Sequence, residues 1–264
     1  MNNVLEKIIT DKKVSVEKYK NSFTVEELKK KISSYKNYLN FKDKLNKSGV
    51  SVIAEIKKAS PSAGVIVEDY KPTLIAKQYL DSGASCLSVL TEEKYFKGKL
   101  EHINEIKKEV ELPVLCKDFF IDPYQVYLAK SFGADAILII LAAINEKTAK
   151  EIYRVAEELN INTIVEAHTY EEAKNALNFK NAIIGINNRN LKTLKTDIKT
   201  THNLHKILIN HAGPLICESG IKSEKEVEEI VKKTKINNFL IGESLLKDLD
   251  KNSSLLKKIV QISA

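Results

Sequence analysis

Short apolar segments recur along the chain at a regular spacing, and longer stretches of mixed apolar and charged residues separate them. Most of these segments are continuously apolar, which is typical of parallel strands that are covered on both faces. They predict eight strands, at 52–56, 86–90, 113–116, 136–140, 163–165, 182–186, 214–217 and 239–241.

The stretches between the predicted strands have the periodicity of amphipathic helices. Clear examples, each long enough for a crossover between parallel strands, lie at 103–110, 147–159, 170–177 and 225–233. Eight strand–helix units in a chain of this length predict an α/β fold, a closed (β/α)8 TIM barrel. A doubly wound open sheet is the alternative.

The first predicted strand begins near residue 52, so a long segment precedes the barrel. Residues 4–13 form an amphipathic pattern, and Thr24 and Glu27 have the spacing of a capping box at the start of a second helix. No low-complexity linker or internal repeat divides the chain. We therefore expect a single barrel domain over residues 1–264, with residues 1–48 as an N-terminal helical extension packed on it.

The charge balance, 42 Lys and Arg against 35 Asp and Glu, gives the 264-residue chain a formal charge of +7. The lysines are interleaved with glutamates, and arginine, the usual reader of bases, occurs only at 154 and 189. This pattern favours a general charged surface. We expect no nucleic-acid partner, and a basic nucleic-acid-binding barrel is the remote alternative.

The longest apolar run, 136–144, is too short to cross a bilayer, so we expect no membrane partner. Three widely separated cysteines show no CxxC spacing, which argues against a disulfide framework or a cysteine-rich zinc site. Together these features predict a cytoplasmic protein with reduced thiols.

Polar residues interrupt or follow the predicted strands at their carboxyl ends, where the catalytic groups of such barrels lie. Each one alone has a structural ion pair as its alternative, but their convergence on one rim favours function. His168 follows Glu166 by two residues, yet no third ligand stands out, and we expect no metal. The candidate groups are Glu55, Lys57, Lys117, Glu166 and Asn187.

The last two strand-end loops have the composition of a phosphate site. In barrels, backbone amides after the seventh and eighth strands often hold a phosphate, and glycine allows a close approach to the anion. Ser219-Gly220 and Gly242-Glu243 occupy these positions, with the carboxylate of Glu243 expected to turn outward. The sequence has no Walker lysine motif and no GxGxxG motif, so it predicts a phosphorylated small-molecule substrate and no nucleotide cofactor.

Six motifs follow one another along the chain: IAEIKKASPSAG (53–64), SVLTEEKYFKG (88–98), PVLCKDFFIDPYQV (113–126), GINNRNL (185–191), ESGI (218–221) and LIGESLL (240–246). In this order they resemble the indole-3-glycerol-phosphate synthase family of tryptophan biosynthesis. The resemblance implies a carboxy-lyase that converts 1-(2-carboxyphenylamino)-1-deoxyribulose 5-phosphate to indole-3-glycerol phosphate, CO2 and water without a cofactor. It also allows association with other tryptophan-pathway enzymes.

The resemblance further implies a role for each candidate residue. Lys117 would be the general acid, Glu166 the base of the dehydration, and Lys57 the group that holds the substrate carboxylate. Neighbouring cations would lower the pKa of Lys117 and help it to donate a proton. Glu55 and Asn187 would orient the substrate and the lysines. Binding would involve Ser60, Pro61, Phe96, Phe119, Arg189 and Glu218, and phosphate would contact Ser219, Gly220, Gly242 and Glu243.

Four positions depart from the family pattern. Ala63 stands where a lysine is common, Cys116 replaces an arginine, Thr169 an acidic residue and Asn190 an aspartate. These departures bear on affinity and on support for the site. The competing enzyme hypothesis is another phosphosugar barrel, either phosphoribosylanthranilate isomerase-like or a lyase with a Schiff-base lysine. A catalytically inactive metabolite-binding barrel is a further alternative.

Overall fold

The computed structural model describes residues 4–45, 49–251 and 253–263. Eight parallel strands close into a barrel in which each strand pairs with the next along the chain and β10 pairs with β1. The (β/α)8 fold is therefore confirmed, and the open sheet is wrong. The strands are β1 (Ser51–Ile56), β4 (Cys86–Leu90), β5 (Val114–Lys117), β6 (Ala136–Ile140), β7 (Asn162–Ala167), β8 (Ile183–Asn187), β9 (Leu215–Glu218) and β10 (Asn238–Ile241), with a small hairpin of β2 (Ala59–Ser60) and β3 (Gly64–Val65) after β1.

Helices connect the strands, and the four crossover helices predicted above are present with ends within two residues of those expected. The helices are α1 (Val4–Ser22), α2 (Val25–Ser34), α3 (Pro72–Asp81), α4 (Glu101–Glu109), α5 (Tyr124–Ser131), α6 (Glu146–Glu158), α7 (Tyr170–Ala176), α8 (Lys199–Leu208), α9 (Glu224–Thr234), α10 (Glu243–Leu246) and α11 (Ser254–Ile259). Short 3-10 turns occupy Lys42–Lys44 and Leu249–Lys251.

The predicted capping box begins α2. The Thr24 N–H donates to Glu27 Oε2 at 2.7 Å, and the Glu27 N–H donates to Thr24 Oγ1 at 3.2 Å. These two bonds satisfy backbone donors that would otherwise lack a partner at a helix start. In the described part of the chain, no helix combines the length and apolar character needed to span a bilayer.

Alternate residues of each strand face the barrel interior and the layer beneath the helices. On β5, Leu115 belongs to the interior cluster, whereas Cys116 packs in the outer cluster. Lys117, one residue further, therefore shares the inward face with Leu115. The same alternation aims polar strand-end side chains at the barrel mouth.

The N-terminal segment contacts both ends of the barrel. Phe41 and Leu45 are buried in the interior cluster, and the Phe41 N–H donates to Asn162 Oδ1, at the start of β7, at 2.8 Å. At the carboxyl ends of the strands, Leu5 and Ile8 of α1 join the same cluster. The expected boundary of the extension, residue 48, lies outside the described residues.

Candidate active site

A cavity of about 1090 Å³ opens at the carboxyl ends of the barrel strands. It is lined by residues from the strand-end loops and also from α1 and the C-terminal segment. All the sequence-predicted site residues line it, namely Glu55, Lys57, Ser60, Pro61, Phe96, Lys117, Phe119, Glu166, Asn187, Arg189, Glu218, Ser219, Gly220, Gly242 and Glu243.

Lys117 lies between two buried carboxylates. Its Nζ is 3.0 Å from Glu166 Oε2, at the end of β7, and 3.0 Å from Glu218 Oε2, at the end of β9. Burial alone would lower the pKa of Lys117, but Glu166, Glu218 and Glu55 outweigh burial and raise it well above its usual value. The expectation of a lowered pKa is wrong, because the groups around this ammonium are carboxylates and not cations.

Glu218 is almost completely buried. Burial raises its pKa to about 8, with Lys117 opposing this shift and Glu166 adding to it. Its Oε1 atom is buried and has no hydrogen-bond partner in the described part of the chain. A Cβ atom at Gly185 would lie 2.0 Å from that oxygen, so the glycine of the GINN motif makes room for the carboxyl group.

Glu166 has a cationic partner on each of its two oxygens. Burial would raise its pKa, but Lys117 and then His168 reverse this and hold the pKa below its usual range. His168 Nε2 lies 3.1 Å from Glu166 Oε1. The His168 side chain does not line the cavity. In the part of the chain that the structure describes, no three His, Cys, Asp or Glu side chains are placed to hold a metal ion.

Glu55 and Lys57 share the inward face at the end of β1 and form an ion pair of 2.5 Å. Both contact the loop after β10, since a Cβ atom at Gly242 would lie 2.3 Å from Glu55 Oε1 and 3.1 Å from Lys57 Nζ. The Glu243 carboxylate pairs with the exposed Lys247 at 2.5 Å, consistent with the expected outward orientation. Glycine at 242 therefore lets the first and last strands meet at the cavity.

The loop after β9 is shaped by two successive left-handed residues, Ser219 (φ 66°) and Gly220 (φ 90°). Buried Asn188 holds this loop by donating from Nδ2 to the carbonyls of Glu218 and Ser219, at 3.1 and 3.0 Å. Thr201 in turn donates to Asn188 Oδ1 at 2.9 Å. Within the described residues, no protein acceptor pairs with the backbone N–H groups of Ser219, Gly220, Gly242 or Glu243. These donors are available to an anion.

A second contact crosses the cavity between the loops after β1 and β8. Arg189 Nη1 donates to Ser62 Oγ at 2.5 Å, and the Arg189 N–H donates to Asn187 Oδ1 at 2.9 Å. Ser60 Oγ accepts from the Ala63 N–H at 3.2 Å, which shapes the loop that carries Ser62. Sequence reasoning missed Ser62, whose only signal was its place in the SPS motif.

One wall of the cavity is apolar and partly aromatic. The rings of Phe96 and Phe119 pack with centroids 6.3 Å apart. Glu92 fixes the loop of Phe96 by accepting from the Phe96 N–H at 3.0 Å. Leu5 and Ile8 of α1 complete the lining. Sequence reasoning gave α1 no part in the site, although its amphipathic pattern indicated a buried face.

None of the four departures from the family pattern lines the cavity. Cys116 faces outward and contacts Thr91 Oγ1 at 3.4 Å, while Thr169 caps α7 by accepting from the Glu172 N–H at 3.3 Å. Asn190 Oδ1 accepts two backbone N–H bonds within its own turn. The departures therefore leave the side chains that line the cavity unchanged.

The sequence matches a known protein family. The family profile for indole-3-glycerol phosphate synthase matches residues 5–257. The chain belongs to this family. Indole-3-glycerol phosphate synthase from Endomicrobium trichonymphae is 42% identical, over 92% of this chain and 95% of its own length. The Thermoanaerobacter pseudethanolicus enzyme is 40% identical over 97% of this chain and 98% of its own length.

Solved structures agree on the fold alone. A chain of the tryptophan synthase complex from Pyrococcus furiosus has a TM-score of 0.60 at 16% identity, covering 81% of this chain and 98% of its own. Family membership makes the protein a ring-closing, decarboxylating lyase of tryptophan biosynthesis that acts on a phosphorylated small molecule.

Proposed function

We propose that the cavity converts 1-(2-carboxyphenylamino)-1-deoxyribulose 5-phosphate to indole-3-glycerol phosphate with Lys117 as acid and Glu166 as base. The observation that carries these roles is the ammonium of Lys117, held at 3.0 Å from each of two buried carboxylates inside the cavity. Buried charges clustered in a cleft are typical of catalytic groups.

The cavity offers separate surfaces for the parts of the substrate. The phosphate binds the unpaired N–H groups of the loops after β9 and β10, at Ser219-Gly220 and Gly242-Glu243. Lys57, beside Gly242, binds the substrate carboxylate. The aromatic ring packs on Phe96 and Phe119, with Pro61 beside them in the lining. Asn187 and Arg189 hold the loops that cover the sugar chain.

Ring closure places negative charge on the carbonyl oxygen of the ribulose chain. Because its pKa is raised, Lys117 stays protonated until that oxygen becomes basic, when it stabilises the charge and donates a proton. The ring carbon that attacks is the one that bears the carboxylate. CO2 then leaves with its bonding electrons returned to the ring, which restores aromaticity without an electron sink.

Dehydration requires a base at carbon and an acid at the departing hydroxyl. Ionised Glu166 takes the carbon-bound proton, and the hydroxyl leaves as water with a proton from an ammonium. Protonated Glu218, 3.0 Å from Lys117 Nζ, can recharge that lysine. Two protons are delivered to oxygen and one is recovered by Glu166. The net uptake of one proton balances the loss of a carboxylate as neutral CO2.

The remaining proposals concern the whole chain. Residues 1–264 act as one barrel domain, and the extension over residues 1–48 belongs to it, supported by the contacts of Leu5, Ile8 and Phe41 with the barrel interior. A cytoplasmic location is supported by the three cysteines, which are buried and widely separated along the chain. Association with other tryptophan-pathway enzymes would be tested by co-purification with those enzymes.

The first experiment mixes purified protein with the carboxyphenylamino-deoxyribulose phosphate and follows indole fluorescence. We expect turnover in the wild type and a loss of roughly 10²–10⁴-fold in kcat for Lys117→Met, with folding retained. Lys58→Met is the matched control, because Lys58 belongs to the same motif as Lys57 but does not line the cavity. Near-normal turnover in Lys117→Met would remove this residue from the acid role.

A further inference from the structure

Two buried carboxylates share one ammonium at the centre of the cavity. Glu166 Oε2 and Glu218 Oε2 are both 3.0 Å from Lys117 Nζ, so Lys117 does not distinguish between them. One buried cation compensates only one buried anion, and two carboxylates this close tend to hold a proton between them. Something else must decide which carboxylate is the ionised one.

The second oxygens of the two carboxylates have different surroundings. Glu166 Oε1 lies 3.1 Å from His168 Nε2, in a contact that has the distance of an ion pair without an aligned hydrogen bond. Glu218 Oε1 is buried and has no hydrogen-bond partner among the residues that the structure describes. An ionised carboxylate with a buried, unpartnered oxygen is less stable than one with a cation beside each oxygen, so this difference favours the proton on Glu218.

His168 is held in place from outside the cavity by Glu172, in the first turn of α7. Glu172 Oε2 lies 3.1 Å from His168 Nδ1 and accepts the His168 backbone N–H at 2.8 Å. The His168 side chain is only 7% exposed, and neither residue lines the cavity. The carboxylate of Glu172 therefore stabilises a charged imidazolium behind the wall of the site.

We propose that the His168–Glu172 pair is a positioning element that keeps Glu166 ionised and leaves the proton of the carboxylate pair on Glu218. The inference rests on the proposed role of Glu166 as base. His168 and Glu172 touch neither substrate nor reacting atoms, and they act only through Glu166.

The charged groups around Glu166 come from several elements. Lys117 faces it from β5 and Glu218 from β9, while Glu55 on β1 acts on Lys117. Burial alone would lower the pKa of His168, but Glu166 and Glu172 raise it to about 9. The imidazolium is therefore present at neutral pH.

The sign of the pH effect follows from these groups. A base must be ionised, so activity is lost as the pH falls through the pKa of Glu166. His168 and Lys117 hold that pKa low, so Glu166 stays ionised and the enzyme stays active at lower pH. Removing the imidazolium raises the pKa of Glu166 and moves the acidic limb of the kcat profile upward.

The first test is the pH dependence of kcat in His168→Asn and Glu172→Gln. We expect the acidic limb to move up by roughly one to three pH units in His168→Asn, and by less in Glu172→Gln. In both variants kcat recovers above the new limb, while KM changes little. Glu171→Gln is the matched control, since Glu171 is an exposed acid in the same helical turn, and its limb should not move. If kcat fell by the same factor at every pH and the acidic limb of the profile did not move, the role of the pair would be structural and the proposal would be overturned.

The second test does not depend on turnover. Carbon-13 NMR of labelled glutamate carboxyls, assigned with Glu166→Gln and Glu218→Gln, follows both titrations in the substrate-free protein. We expect Glu218 to titrate near neutral pH and Glu166 to be ionised there, with the two titrations closer together in Glu172→Gln. Unchanged titrations would overturn the proposal and leave the reaction assignment intact. Wild-type kcat in Glu166→Gln would instead remove the base role, while the titrations still show which carboxyl holds the proton.

Discussion

At Gly242 the absence of a side chain has a measurable consequence for phosphate binding. A Cβ atom there would lie 2.3 Å from Glu55 Oε1, so Gly242→Ala must displace either the loop backbone or the Glu55–Lys57 pair. We expect this displacement to remove one backbone hydrogen bond to the charged phosphate. Such a loss corresponds to about 1.5–3 kcal/mol, or roughly a 10–100-fold rise in KM.

Inhibition by inorganic phosphate measures the same contact without the rest of the substrate. We expect competitive inhibition in the wild type and much weaker inhibition in Gly242→Ala. Gly83→Ala is the control, because Gly83 also meets a neighbour but lies outside the cavity lining, so only stability should change. Equal phosphate inhibition in the wild type and Gly242→Ala would place the anion elsewhere.

Single residues show how far the site could be predicted from sequence. Strand-end position identified Lys117, Glu166 and Glu218, because burial of the strands is visible in the apolar pattern. The direction of the pKa shift of Lys117 was predicted wrongly. Its neighbours are 49 and 101 residues away along the chain, and which of them face it depends on the closed barrel. His168 was visible only as a residue two positions after Glu166.

Among the elements, α1 is linked to the active-site loops by a buried ion pair. Lys12 Nζ lies 2.6 Å from Asp118 Oδ1, and both side chains are 9% exposed. Lys12→Met leaves Asp118 buried without its cation, which we expect to destabilise the protein by about 3–5 kcal/mol. Urea unfolding of the variant and the wild type measures this difference.

Two further variants separate the buried pair from other effects of α1. Asp11 lies on α1 beside Lys12, and its Oδ2 atom is 2.8 Å from Nζ of the exposed Lys94. Lys94→Met removes this exposed pair and should change the free energy of unfolding by less than about 1 kcal/mol. Adding Asp118→Asn to Lys12→Met should recover part of the loss, since the unpaired charge is then gone. A change below about 1 kcal/mol in Lys12→Met would show that the pair contributes little.

Element positions were well predicted where burial is continuous. For α1, packing on the barrel was expected, but the residues that make the contact were not. The strand Ala136–Ile140 was predicted with its observed ends because both of its faces are buried. The pattern of α1 predicts a helix, but a lysine at position 12 suggests a solvated residue. Only the tertiary contact with Asp118 makes that residue part of the core.

At the scale of the molecule, barrel closure is what turns separated motifs into one site. The pairing of β1 with β10, from Ser51 with Asn238 to Ala54 with Ile241, brings Glu55 and Lys57 beside the last loop. The apolar pattern alone also fits an open sheet, which has the same number of strands and helices. The number of units favoured the barrel, and the register of this single pair establishes it.

The charge of the whole molecule leads to a prediction about substrate capture. The chain carries a formal charge of +7, and lysines 222, 247, 251 and 258 line the outer part of the cavity. Within the described residues Lys247 pairs with Glu243, whereas Lys251 and Lys258 form no ion pair. A substrate with both a carboxylate and a phosphate is attracted to such an entrance, and salt screens the attraction.

We therefore expect kcat/KM to fall by roughly tenfold as the ionic strength rises from about 0.01 M to about 0.15 M, which shortens the Debye length from about 30 Å to about 8 Å. Because salt acts on the encounter with substrate, kcat should change little. The double variant Lys251→Gln with Lys258→Gln should lower kcat/KM at low salt and flatten its salt dependence. Lys147→Gln with Lys150→Gln removes the same charge from α6, away from the cavity, and is the matched control. If both double variants flatten the slope to the same extent, the net charge of the molecule and not the lysines at the entrance controls capture. Only a slope that flattens in the first pair alone assigns the steering to Lys251 and Lys258.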